Sequence, residues 1–275
     1  MKKGLFILAV FTCLQSSAQS VEFKKGQQII ITTTASQSTD VMGMSMKNTS
    51  ISISKVIVKD VSDKNYTLEN TLTKLMMDSE NPMQPIKFDS DKEQDRSSEV
   101  GKAIGSSLDK PEIFFVNKKT SQVSDDNKNQ ADTATSDEKN DLMSMMGGMN
   151  VGEASATVSS TYFLIPSGKK IGDSWVDSST IEQIKSVNKY TIESVEKNIV
   201  TIGVNGTVNG KTKMDMQGNQ FDIDMSTNST GKIVLDKSTS LVKSRTIDAT
   251  INSTIQAMGQ SLPIAGTATS TTTYE

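Results

Sequence analysis

The feature that most constrains this chain is a two-residue alternation of apolar and polar side chains that recurs along most of its length. Successive side chains of a strand point to opposite faces, so the pattern belongs to strands with one buried and one wet face. It runs through 27–34, 49–60, 65–76, 84–89 and 112–116. It returns through 175–184, 189–194, 198–208, 219–227, 231–236, 240–255 and 261–274. Within 49–60 the apolar positions change phase, Ile51 and Ile53 giving way to Val56 and Val58, which predicts a bulge near Lys55. Asp63-Lys64-Asn65, Asn205-Gly206 and Asn209-Gly210 are turn signals. The expected fold is mainly β with minor α (α+β): a curved antiparallel sheet or half-barrel, with scope for two related halves and with two short helices.

The helices come from a change of period. Val100, Ala103, Ile104 and Leu108 are spaced three and four apart, predicting a helix over 93–108 that Pro111 follows. Ala154, Val158 and Tyr162 predict a second over 151–164, stopped by Pro166. Between them 124–141 is almost free of apolar side chains and reads as a mobile linker. The expected organisation is 1–18 as an export signal, 19–123 as a β-rich half with one helix, 124–150 as linker and Met-rich segment, and 151–275 as helix plus meander.

The export signal rests on Lys2 and Lys3, an apolar run from Leu5 to Leu14, and Ser16-Ser17-Ala18. That run is too short to cross a bilayer, and the small residues fit cleavage after Ala18. A periplasmic or secreted location follows. Cleavage also removes the only cysteine, Cys13, which Phe11-Thr12 precede where a lipoprotein needs a small residue. The chain has no histidine, so no Ser-His-Asp or Cys-His arrangement and no imidazole–thiolate zinc site can be built. A net charge of −3 argues against nucleic-acid partners. No segment of the mature chain is long and apolar enough to span a membrane as a helix. No cofactor is called for, and the oligomeric state stays open.

Two internal echoes point to related halves. Residues 112–123 (EIFFVNKKTSQV) match 231–242 (GKIVLDKSTSLV) in strand pattern and following turn. Residues 38–46 and 253–262 each place Met-Gly in the middle of a strand pair.

The signal ending Ser-Ser-Ala-Gln, the Met-Gly segments and Leu164-Ile165-Pro166 running into Gly172-Asp173-Ser174-Trp175 resemble a family of secreted Bacteroidota proteins with a domain of unknown function. The segment Val234 to Val242 also resembles a strand-turn-strand of Lol-type lipoprotein carriers and their half-barrel relatives. That distant resemblance implies a curved sheet holding an apolar ligand, as an expectation of fold.

Methionine is abundant, with 15 residues, while aromatics make only 5% of the chain. Met42, Met44 and Met46 fall on one strand face, and with Met258 and the lone Trp175 they are candidates to line an apolar or lipid-binding surface. Met143, Met145, Met146 and Met149 are candidate Cu(I) ligands, because thioethers suit that soft ion. Against both stands plain core filling, by methionine and by Trp175. Asp222 with Asp224, and Asp89 with Asp91, are paired carboxylates of the kind glycoside hydrolysis uses, although a wet strand face is polar for solubility alone. The expected role is an exported, non-catalytic envelope protein that binds an apolar or lipid-like ligand, or an envelope protein as a structural adaptor. The alternatives are a Cu(I)-binding protein and a carboxylate-based hydrolase.

Overall fold

The computed structural model describes residues 20–41, 43–80, 85–104, 107–125, 154–181, 183–216, 219–257 and 260–275. Twelve strands join in one sheet. They are β1 (Gln28–Val41), β2 (Met44–Val61), β3 (Asn65–Glu80), β4 (Ile86–Asp89), β5 (Pro111–Asn117) and β6 (Val123–Asp125), then β7 (Ser174–Ile181), β8 (Ile184–Glu196), β9 (Ile199–Met216), β10 (Asn219–Asp236), β11 (Val242–Ala257) and β12 (Gln260–Tyr274). Their order is β6-β5-β3-β2-β1-β12-β11-β10-β9-β8-β7, with β4 on β3. Every pairing of named strands is antiparallel. Since β1 pairs with β12, the main path follows chain order as a ring with one break, between β6 and β7.

The sheet is open, yet it must curl. Tyr162 donates its hydroxyl to the Ser121 carbonyl beside β6 at 2.6 Å and bridges to Leu241 at the start of β11. In a flat sheet, β5 and β11 would lie five strand spacings apart, roughly 24 Å, far beyond one tyrosine's reach.

The halves repeat each other bond for bond. Gly26 N–H donates to Val58 O and Gly172 N–H to Ile192 O, both at 2.8 Å, and both glycines take positive φ (80° and 88°). Val58 N–H returns to Gln27 O, and Ile192 N–H to Asp173 O. Lys59 bulges from β2 as Glu193 does from β8. In the echo turns Ser121 N–H donates to Asn117 O and Ser240 N–H to Asp236 O, while Lys118 N–H reaches Lys64 O and Lys237 N–H reaches Asn198 O. Strands β1, β2, β3, β5 and β6 thus correspond to β7, β8, β9, β10 and β11. β12 has no counterpart among the described residues of the first half. It would lie between β6 and β7, where the sheet is open.

The core fills one end of this ring, here called the base. Ile31, Val56, Leu68, Val116, Ile202 and Leu235 are buried on the same face of their strands, the inner face. Each such side chain contributes about 1.5–3 kcal/mol. Two segments cross the base. Residues 21–23 bring Phe23 edge-on to Tyr66 and Tyr162, and the Tyr66 hydroxyl donates to Val21 O. The helix α3 (Ala154–Ser159) buries Val158 and leads into an extended stretch in which Phe163 N–H reaches Ser240 O and Val242 N–H reaches Thr161 O. A smaller core of Leu75, Met77, Phe88 and Leu108 lies where α1 (Glu93–Ser97) and α2 (Glu99–Ile104) return the chain toward β3.

Several sequence expectations need correction. The helix expected over 93–108 is two, because Ser98 is extended (ψ 166°) and its hydroxyl oxygen accepts from Gly101 N–H. Three short helices are therefore described rather than two. The second expected helix ends at Ser159, where Ser159, Ser160 and Thr161 hydroxyls bond back to carbonyls three residues earlier. Asn205-Gly206 and Asn209-Gly210 are not turns but lie inside β9, paired on both sides. β2 has no bulge at Lys55, since its register against β1 is unbroken. The phase change is real but reports a change of face: Val56 and Val58 meet the base core, whereas Ile51 and Ile53 lie on the outer face. The nearby bulge is Thr73 of β3. The expected export signal, 1–18, lies outside the described residues, as does most of the expected linker.

Candidate functional site

Register lets the inner face be followed from the base to the other end, the rim. Next above the core comes a belt of small and polar side chains. Thr33, Ser52, Ser270, Ser229 and Asn188 occupy it, by the pairings Thr33↔Ser52, Ala35↔Ser270 and Ser229↔Gly206↔Asn188. Thr33 and Thr272 share a hydroxyl–hydroxyl bond of 3.1 Å. Gly206 leaves room here for the two polar side chains beside it. A Cβ on it would stand 2.5 Å from the Ser229 hydroxyl and 2.6 Å from the Asn188 carbonyl oxygen.

Beyond the belt the inner face turns apolar again. Met44 and Met46 on β2 stand opposite Val41 and Thr39, Leu262 and Ile264 of β12 stand opposite Ile255 and Ser253, and Met225 of β10 stands opposite Gly210. Thr39 and Ser253 are buried, whereas the apolar side chains of this set are half-buried or more open, Met44 being 42% exposed and Ile181, at the tip of β7, 73% exposed. Water-facing apolar side chains gathered on one face form a surface that gains from being covered.

One cation enters the inner face of the described strands. Arg245 of β11 lies at the base side of the belt, opposite Thr272 and Ile233. Its Nε is buried and has no hydrogen-bond partner among the described residues, as is also true of the Asn70 Oδ1.

Burial perturbs phenols of the base. Burial pushes the Tyr162 hydroxyl up to about 12, and raises Tyr274 and Tyr190, the last two countered in part by the Arg245 charge. No described group of three or more His, Cys, Asp or Glu side chains is placed to hold a metal ion.

The expected site residues separate. Met44 and Met46 share the inner face at the rim, and their spacing in sequence was a sufficient signal. Trp175 is at the base instead, stacked on Tyr190 at 5.5 Å and packed near Phe163 at 6.2 Å, against the main core. Met42, Met258, Met143, Met145, Met146 and Met149 lie outside the described residues. Asp222 and Asp224 do share a face, the outer one, where Asp224 pairs with Lys211 at 3.3 Å. Asp89 pairs with Lys92 at 3.7 Å, and Asp91 with Lys74. A shallow groove of about 290 Å³, bordered by Ile51, Met76, Lys87 and Lys92, lies beside the smaller core. Sequence reasoning passed over Arg245, whose alternation with Ile247, Ala249 and Ile251 placed it on the buried face of its strand.

A family described as being of unknown function (DUF6263) matches residues 63–242. The chain belongs to that family. The match spans both structural halves, from before β3 to the start of β11. Among solved structures, lipovitellin, in a structure titled for lipid–protein interactions, is similar at 12% identity and a TM-score of 0.51. The likeness covers 92% of this chain and 25% of that one, so the chain spans a quarter of lipovitellin's length, and at this identity the likeness is one of fold. An outer membrane channel from Pseudomonas putida F1 matches over 93% of this chain and 97% of the channel, at 5% identity and a TM-score of 0.25. No curated protein matches the chain in sequence. No described helix is long and apolar enough to cross a membrane.

Proposed function

We propose that this family member is an exported, non-catalytic protein that holds an apolar or lipid-like ligand against the rim half of its inner face. The observation that carries the reading is the order of layers on that face: packed core, polar belt, then half-open apolar rim. On β1, β2, β8, β10 and β12 the apolar side chains reappear beyond hydroxyls and amides, while on β11 Ile247, Ala249 and Ile251 carry an apolar track through the belt. Curled antiparallel sheets with an apolar interior are recurrent ligand sites. The fold likeness to lipovitellin, studied for its lipid–protein interactions, supports the same class of ligand. The amino-terminal export pattern supports a location where such a ligand is handled outside the cytoplasm.

A second reading, a structural adaptor, is favoured by the open edge at β7. No described strand pairs with its free side, where the Ser174 carbonyl accepts from Lys169 Nζ, and Val176 is 62% exposed. Edges of this kind accept strands from partners.

Native mass spectrometry of the exported chain, purified gently from an expressing cell envelope, separates the two. Heterogeneous lipid-sized added mass is expected. A bare mass, together with capture of a stoichiometric protein partner, would replace the ligand reading with the adaptor.

A further inference from the structure

Resting on the reading of the inner face as a ligand surface, we infer that Arg245 receives the anionic headgroup of a long-chain amphiphile. The hydrocarbon tail lies along the inner face of β11 toward the rim.

Three features of Arg245 carry this. First, position: alternation from Arg245 gives Ile247, Ala249, Ile251, Ser253 and Ile255 on the inner face of β11, an almost continuous apolar track leading away from one charge. The six steps along the strand from Arg245 to Ile251 span about 20 Å, roughly the extended length of palmitate. Second, charge: Arg245 is the only cation at an inner-face position of the described strands, by register. The acidic groups of that face, Glu112, Asp125 and Asp177, are exposed on β5, β6 and β7 beside the opening. Arg245 takes part in none of the ion pairs of the described residues. Third, satisfaction: its Nε is buried without a partner, next to the fully packed Ile233.

A guanidinium in such a place carries the cost of desolvation with no carboxylate of the described residues paired to it. Its planar fork fits a carboxylate or phosphate with two parallel hydrogen bonds, and the apolar surroundings strengthen that pairing. Structural support alone would be served better by an apolar residue, as at Ile233, the equivalent inner position of β10. A cationic headgroup would meet repulsion, and a neutral one would leave the guanidinium unpaired.

The test compares three probes on the full exported chain by isothermal titration: palmitate, hexadecanol and acetate. Palmitate is expected to bind at least about tenfold more tightly than hexadecanol, and acetate not measurably. In Arg245→Gln that preference is expected to vanish while hexadecanol affinity holds, and in Arg245→Lys part of it returns. Circular dichroism checks that each variant is folded, and the probe series on the unaltered chain stands without them. Equal affinity for palmitate and hexadecanol would overturn the headgroup assignment and leave the apolar site intact. Acetate binding as tightly as palmitate would make this an anion site without a tail. Binding of neither long-chain probe would remove the ligand reading itself.

Discussion

Ser121 and Ser240 hold the same left-handed backbone, φ 55° and 60°, at the same place in two equivalent turns, and the stretch around Tyr162 touches both. The turns differ in one informative residue. Asn117 opens the first, with its Oδ1 accepting from Lys119 and Thr120 N–H. Asp236 opens the second, with its Oδ1 accepting from Ser238 and Thr239 N–H and from both hydroxyls.

The Ser238 hydroxyl, with the Thr239 and Ser238 amides and the Thr239 hydroxyl, holds the Asp236 carboxyl below its ordinary value of 3.8 against a burial effect in the other direction. A lowered folded value means that the carboxylate's stabilisation is complete above that ordinary value and is lost as pH falls through the lowered one. Asp236→Ala is expected to cost about 1 kcal/mol at neutral pH. Asp236→Asn, which copies Asn117, is expected to keep the turn and to flatten the acid limb of the stability curve. Urea unfolding between pH 2 and pH 6 checks both, and an acid limb unchanged in Asp236→Asn would show that other carboxylates set it.

Tyr162 sets the opposite limb. Its phenol is raised by burial from 10 to about 12, so the folded state retains a proton that the unfolded chain releases. Stability is complete below pH 10 and is expected to fall by about 2 kcal/mol as pH rises toward 12. Tyr162→Phe is expected to lose about 1 kcal/mol at neutral pH with the bond to Ser121, and to lose less on further alkalinisation. Denaturant midpoints at pH 8 and pH 11 give the comparison. A steeper alkaline loss in the variant would place the titrating group elsewhere, with Tyr274 the next candidate.

Much of the sheet was legible because alternation reports burial directly. Over 261–274 the structure alternates exposed and less exposed positions throughout. Leu262, Ile264, Ala268 and Tyr274 on the inner face gave the signal, though Pro263 and Ala265 outside and Ser270 and Thr272 inside break a strict apolar–polar pattern. The echo of 112–123 in 231–242 was also legible, and its serines prove to share a rare backbone conformation. What sequence alone misreads are places where long-range pairing overrides a local signal. Asn-Gly favours a tight turn in isolation, but β8 and β10 flank β9 over its whole middle and hold it extended. Met44 and Met46 could be placed on a face by spacing, whereas Arg245 became a candidate only once its unpaired Nε and its place between belt and core were known.

The two glycines of β9 are expected to respond unequally to substitution. At Gly206 the neighbours of a new Cβ are the ends of the Ser229 and Asn188 side chains, which can swing aside. At Gly210 they are the Gln183 carbonyl and Ile184 Cα, which belong to the backbone of β8 and its turn. Gly206→Ala is therefore expected to cost about 1 kcal/mol or less, and Gly210→Ala about 2 kcal/mol or more. Thermal unfolding of the two variants side by side decides the order. The reverse order would mean that β8 yields at its rim end more easily than the polar belt does.

The rim offers the cleanest separation of function from stability. Met44 and Ile181 are exposed at 42% and 73%, so converting both to serine leaves the packed core untouched. Met44→Ser combined with Ile181→Ser is expected to cost about 1 kcal/mol of stability, most of it at Met44. The same variant is expected to weaken binding of palmitate and of hexadecanol alike and by only a few-fold, because the rim lies past Ile251, where a sixteen-carbon tail from Arg245 ends, and the lost contacts are to hydrocarbon and not to a headgroup. Arg245→Gln is expected to do the converse, discriminating between the probes. If the rim variant bound both probes as tightly as the unaltered chain, the tail would end short of the rim, and Ile251 would become the residue to alter.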